Sequence, residues 1–228
     1  MRIEKVTDRV NWIGVLDPEL EIFDIVIPTK WGTTYNAYII NAEKITLVET
    51  AKEVFHDEYI DKLKASIDPK KIEYLVVNHT EPDHAGSISR VLDLNPEITI
   101  VSSRSANMLL KEQLNRPFKS IIANDGDTLS LGDMTLEFIS APMLHWPDSM
   151  FTYLKEEQVL FTCDAFGCHF CHPEGKLFDD ESGDFSEAFR YYYDEIMAPF
   201  KPFIIDAVDK VMDLPLKIVA TGHGPIIR

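Results

Sequence analysis

The run IEYLVV at residues 72–77, followed at once by Asn78-His79-Thr80-Glu81-Pro82-Asp83-His84, constrains this chain more than any other segment. A short apolar run of this kind makes a buried strand, so the polar loop after it starts at a strand end beside the core. Alternate residues of an extended segment point the same way, which lets His79, Glu81 and Asp83 converge on a point just beyond the strand. Pro82 reinforces this by holding Glu81 out of helical geometry. An imidazole and two carboxylates packed together repel each other if left bare, and a cation between them resolves the repulsion. The competing reading is a polar loop that caps the following helix, with Asp83 as N-cap.

Three more candidate ligands each follow an apolar strand: His145 after LEFISAPML, Asp164 after VLFTC and His223 after KIVATG. With His84 this makes four histidines and three carboxylates. That is too many for one tetrahedral zinc, but it suits two metal ions roughly 3.5–4 Å apart, with Asp164 as the natural bridging carboxylate. Three carboxylates and a bridging hydroxide neutralise two divalent ions, and oxygen-rich ligation with no thiolate required suits iron or manganese.

The remaining pattern mixes strands and helices in both halves. RVNWIGV, FDIVIP, YNAYII and ITLVET read as strands, the last two joined by a hairpin. After the helix VFHDEYIDKLKASI and the strand IEYLVV come GSISRVLDL as helix, EITIVSS as strand, RSANMLLKEQL as helix and KSIIAND as strand. Two hairpins follow, and then SEAFRYYYDEIMAPF as a helix stopped by Pro199, FIIDAVDKVM as another and LKIVATGHG as a last strand. This predicts an α+β fold, residues 1–228 as one domain, with two sheets and helices outside them rather than a doubly wound parallel sheet. Residues 165–183 form the least regular stretch, and long loops of this kind are usually functional or disordered.

That stretch contains Cys168-His169-Phe170-Cys171-His172, which matches the c-type haem attachment pattern C-x-x-C-H. Such haem is attached outside the bacterial cytoplasm, and MRIEKVTDRV carries charges where a signal peptide has its apolar stretch. The expectation is a cytoplasmic protein with reduced thiols, in which Asp164 is the working residue of CDAFGCHFCHP. Cys168, Cys171 and His172 as a second metal site or redox-sensitive pair, or as loop thiols with no partner, are the readings left for the motif. The net charge of −16, from 38 acidic against 22 basic residues, repels a phosphate backbone and so excludes nucleic acid and anionic membrane as partners. No apolar window approaches the length of a membrane span.

Together, NHTEPDHAGS, PMLHWPDSM, FTCDAFG and TGHGPI resemble the metallo-β-lactamase-like domain of the flavodiiron proteins, and GTTYNAYII extends the resemblance over essentially the whole chain. The hydrolases of that superfamily usually carry histidine where this chain has Glu81, an exchange that marks the diiron branch. The resemblance implies a four-layered αββα sandwich with two non-haem irons at the open edge between the sheets. One iron would be held by His79, Glu81 and His145 and the other by Asp83 and His223, with Asp164 bridging. His84 falls where the hydrolases have a ligand, but in flavodiiron proteins it commonly lies outside the coordinating set, so its part is conditional. Trp146, next to a ligand, would lie near the pocket or serve only as core packing.

The family implies binding of O2 or NO and a homodimer. Its members continue into a flavodoxin-like domain carrying FMN, and this sequence shows no flavin phosphate loop. Electrons or signal readout are therefore expected from an external redox or signalling protein, which makes the chain an oxygen-binding sensor or the diiron half of an O2/NO reductase. The alternatives are a dizinc hydrolase that uses a metal-bound hydroxide and a scaffold that retains no metal.

Overall fold

The computed structural model describes residues 2–228. Seven strands form one sheet in the order Glu4–Lys5, Val10–Trp12, Tyr38–Ile40, Ile45–Val48, Ile72–Val77, Thr99–Ser102 and Lys119–Ile122. Its first four strands run antiparallel and the later pairs are parallel. Five strands form the other: Thr128–Ser130, Thr135–Ser140, Met150–Leu154, Val159–Cys163 and Ile218–Thr221. Here only the last pair is parallel.

The strand Met150–Leu154 shows why two sheets stack with helices outside. Met150 and Leu154 face the core between the sheets, while Phe151 and Tyr153 face the opposite side, as a period of two requires. Both sets are apolar and buried, so both faces of the strand need a cover. The inner cover is the first sheet, whose Trp12, Tyr38, Val48 and Val76 meet Leu136, Phe138, Phe161 and Ala220 of the second. The outer cover is the helix Lys201–Val211, through Ala207 and Val211. On the far side, helices His56–Ser66, Ile88–Leu94 and Arg104–Leu114 set Leu63, Val91 and Leu110 against Leu47, Leu75 and Ile100. The layers are therefore αββα.

One register detail decides which way the key strand faces. In Ile72–Val77 the pairing steps from Ile45↔Ile72 to Thr46↔Tyr74, leaving Glu73 as an extra, exposed residue. This bulge reverses the parity, so Ile72, Leu75 and Val77 all face the helices while Tyr74 and Val76 face the inner core.

Several expected elements are shorter than the apolar runs suggest. FDIVIP is a miniature hairpin, Ile22–Phe23 with Ile27–Pro28, turning through Asp24 at φ 47° and Ile25 at φ 70°. YNAYII and RVNWIGV are each broken in the middle. Asn36 uses its side chain to accept from Trp12 Nε1 at 2.8 Å and to donate to the Gly224 carbonyl at 3.0 Å, and a Cβ on Gly14 would come within 2.2 Å of the Tyr35 oxygen. The expected helix before Pro199 is Ser186–Tyr192, followed by a π-helical turn Tyr193–Met197 and a 3-10 turn Ala198–Phe200. Among the described residues, no helix is long and apolar enough to cross a membrane.

The two sheets are joined by the Tyr38 hydroxyl, which donates to the Thr221 carbonyl at 2.7 Å, and by its ring, 5.3 Å from that of Phe161. In urea titrations Tyr38→Phe is expected to cost about 1 kcal/mol. Phe161→Ala, which leaves a cavity between the sheets, should cost about 3–5 kcal/mol, with an unchanged m-value in both cases.

Candidate metal centre

All the predicted ligands leave the same edge of the sandwich, from loops that follow Ile72–Val77, Thr135–Ser140, Val159–Cys163 and Ile218–Thr221. Asn78 ends the first strand with its N–H donated to Glu49 Oε1 at 2.9 Å, which turns the chain out of the sheet at His79. Glu81 then stays extended at φ −56°, ψ 141°, as a residue before proline should. The alternation argument therefore holds for His79 and Glu81, whose Nε2 and Oε2 are 3.2 Å apart. It does not hold for Asp83, which lies on the short helix Pro82–Ala85 and turns away to face His223. The capping alternative also fails: Glu81, not Asp83, occupies the N-cap position, and neither Asp83 oxygen makes a hydrogen bond.

The result is two half-sites. His79, Glu81, His145 and Asp164 can each bring one donor atom within 4.8 Å of the others, and so can Asp83, His84 and His223. His145 Nε2 approaches Glu81 Oε2 at 3.0 Å, and His223 Nε2 approaches Asp83 Oδ2 at 3.1 Å. Asp164 lies between the two groups and divides its oxygens. Oδ2 faces His79 at 3.4 Å and His145 at 3.5 Å, while Oδ1 faces His84 at 3.0 Å and His223 at 3.4 Å. The loops approach so closely that a Cβ on Gly222 would lie 2.9 Å from both His84 Cε1 and the Cys163 carbonyl carbon, so glycine is required there.

Two histidines are held with Nε2 toward the centre by partners on Nδ1. Asp148 accepts from His79 Nδ1 at 3.1 Å, and the same carboxylate binds the Thr80 N–H and hydroxyl at 2.8 and 2.7 Å. The Thr34 carbonyl accepts from His223 Nδ1 at 2.7 Å. These bonds select the tautomer that leaves Nε2 free as a donor to metal.

Electrostatics argue for a cation. Burial alone would lower His79 and His145, yet hydrogen bonds to Asp148 and Glu81 and the nearby charge of Asp164 raise both to about 10. Burial likewise opposes the charge on His84, and Asp83 and Asp164 lift it to about 9. Desolvation works to raise Glu81, Asp83 and Asp164, but the neighbouring histidines hold all three below the usual carboxylate range. Without a metal, His79, His84 and His145 therefore keep their extra protons at neutral pH. Even then Asp164 Oδ2, both Asp83 oxygens and His223 Nε2 are buried without a hydrogen bond. This donor set fits two cations.

Of the remaining candidates, Trp146 stands edge-on to His79, ring centroids 5.2 Å apart, and close to His145. Among the described residues, no metal-competent group includes Cys168, Cys171 or His172. Cys168 is buried against Gly224, and His172 Nδ1 accepts the Glu174 N–H at 3.0 Å in a local turn. The structure thus offers no second metal site in the C-x-x-C-H stretch. Its unassigned member, His169, is buried with Nδ1 3.0 Å from Thr33 Oγ1 and its ring 4.8 Å from that of His223.

Four participants were missed in the sequence. Asp148 had a signal, an acid three residues after His145 in a quoted motif. The Thr34 carbonyl had none, being backbone. Glu49, φ 60°, is buried with Oε2 unpaired, and burial raises it to about 7. Asp24, on the tip of the small hairpin, is raised to about 6 by partial burial and by the Glu81 carboxylate beside it.

Stability from the raised histidines is fully present below the ordinary value near 6.5 and is lost as pH rises through about 9–10. That from the lowered carboxylates is present above about pH 4.5 and is lost on further acidification. Metal-free protein should therefore lose melting temperature at both ends, and loading at pH 7 should release protons, measurable in weakly buffered indicator solution. Asp148→Asn should weaken metal retention about 10–100-fold in chelator competition while leaving the fold intact by circular dichroism.

Comparison with known proteins places the chain in a family. Residues 33–224 match the family described as ODP family beta lactamase. Flavo-diiron protein FprA2 of Clostridium acetobutylicum is 42% identical over 228 residues, covering 98% of this chain and 56% of its own length. Type A flavoprotein fprA of Rhodobacter capsulatus is 41% identical, with 98% and 52% covered. Rubredoxin oxygen:oxidoreductase from Desulfovibrio gigas superposes with a TM-score of 0.95 at 32% identity, over 100% of this chain and 57% of that one. The chain spans about half the length of the curated relatives it matches.

Proposed function

Because this chain belongs to the ODP β-lactamase family, the metallo-β-lactamase-like domain of flavodiiron proteins, we propose that it holds two non-haem irons and binds and reacts with dioxygen or nitric oxide. The observation that carries this reading is Asp164, whose two oxygens face two separate donor groups. In this assignment His79, Glu81 and His145 hold one ion, Asp83 and His223 hold the other, and Asp164 joins them. His84, 3.0 Å from Asp164 Oδ1 and grouped with Asp83 and His223, is the conditional additional donor.

Two redox-active ions held there would supply the electrons that reaction with a diatomic ligand needs. The chain's own part is positioning and exclusion. Asp148 and Thr34 fix the His79 and His223 tautomers, and Trp146 stands over His79 on the side of His145. Glu81 provides an anionic oxygen where a histidine would leave the site more cationic and closer to zinc preference.

The name of the Desulfovibrio relative, rubredoxin oxygen:oxidoreductase, supports oxygen as the ligand and a separate electron donor. In this reading, electrons or signal readout pass through another domain or an external redox or signalling protein, and the protein acts as a cytoplasmic homodimer. Fractionation and light scattering test the last two points.

The direct experiment loads the protein anaerobically with ferrous iron, confirms two irons per chain, and mixes it with O2 without a reductase. A coloured oxygenated species that lasts for minutes identifies a sensor. Rapid passage to a diferric form that turns over only with an added flavoprotein or rubredoxin identifies the reductase half. Retention of zinc with esterase activity would overturn both in favour of a hydrolase. Asp164→Asn is expected to abolish stoichiometric retention of both ions rather than one, read by metal analysis of the purified variant.

A further inference from the structure

Beside the metal centre, on the outer side of the second sheet, lies a cavity of about 230 Å³. Its walls are Leu144, Phe151, Phe166, Met197, Ile204 and Ala207, with Tyr192 and Asp164 at the side facing the metal ligands. Asp164 is the only charged residue of the lining. Leu144 immediately precedes His145, and the Tyr192 ring is 6.2 Å from that of His223. Phe189, also in the lining, is 39% exposed and places the far end of the cavity near solvent. The π-helical turn Tyr193–Met197, a widened geometry frequent at functional sites, forms part of the wall.

We propose that this cavity is a binding and entry chamber for an apolar diatomic gas on its way to the metal centre. The argument rests on the diiron reading above for its destination and on the lining for its occupant. A charged or strongly hydrogen-bonding molecule entering such a space loses its hydration with almost nothing to replace it. An apolar diatomic loses nothing of the kind. Apolar cavities of roughly 150 Å³ stay dry and take up xenon or benzene, so a space of 230 Å³ is large enough. Water is the competitor to be kept out of a reduced metal centre, and the same lining disfavours it. The chamber ends at Asp164, the carboxylate that faces both donor groups, so a gas molecule leaving it arrives beside the residues that would hold the ions.

The test uses xenon, which reports on the cavity whether or not metal is bound. Crystals of the wild-type chain under xenon pressure should show an anomalous peak among Phe151, Phe166 and Ala207. Ala207→Phe, and Ile204→Phe as the milder variant, should remove that peak. Both should keep the wild-type iron content and the wild-type rate of oxidation by ferricyanide, which needs no chamber. Their second-order rate of reaction with O2 should fall by at least about tenfold. If wild-type crystals show no xenon in the cavity, or if iron-replete filled variants react with O2 at the wild-type rate, the proposal is overturned and the space is only imperfect packing. Failure of the wild-type chain to retain iron would overturn the diiron reading separately, since the xenon map does not depend on it.

Discussion

Buried charge at one sheet edge is the constraint on which the rest of this structure depends. Glu81, Asp83 and Asp164 are almost fully buried within a few ångströms of one another and of four imidazoles. Carboxylates in such surroundings repel strongly unless positive charge lies between them. The fold places that charge by geometry. Every loop that delivers a ligand leaves a strand of one of the two sheets, and the strands are locked by packing on both faces. The polar groups behind the ligands, Asp148, the Thr34 carbonyl and the Glu49–Asn78 bond, spend their hydrogen bonds on orientation.

The irregular stretch at residues 165–183 takes its meaning from the same constraint. Its Cys168 and Phe170 pack with Phe23, Tyr192 and Ile196 in a small apolar cluster of their own. His169 is buried against His223 on one side and Phe23 on the other. The loop therefore flanks the ligand cluster, with Cys168 as part of its apolar packing. The hairpin Ile22–Phe23 with Ile27–Pro28 completes that flank, bringing Asp24 beside Glu81 while Ile25 stands 92% exposed.

What the sequence made legible follows from which interactions are local. Apolar runs ending in His79, Asp164 and His223 marked both the strands and the ligands, because a strand end and its next residue are covalently tied. The four layers followed from the resemblance, and the mixed order of elements already favoured two sheets. The turn of Asp83 away from Glu81 was not legible by alternation, because a single helical turn at Pro82 changes the period from two to 3.6. Asp148 was visible as a residue but not as a partner of His79, which lies 69 positions earlier in the chain. The breaks in FDIVIP and YNAYII come from Asp24, Asn36 and their contacts, which local propensity does not record.

The spread of the ligands along the chain has a consequence for how the molecule comes into being. The donors run from His79 to His223, and the last of them follows a strand that pairs in parallel with Val159–Cys163. Parallel pairings between distant segments form late, since a long loop must close before the contact is made. The group of Asp83, His84 and His223 is not assembled until this C-terminal strand docks. Before that step a partly folded chain can offer His79, Glu81, His145 and Asp164 but not His223, so the two donor groups are completed at different stages. Completion of the cluster then separates chains with both sheets complete from those still missing an edge.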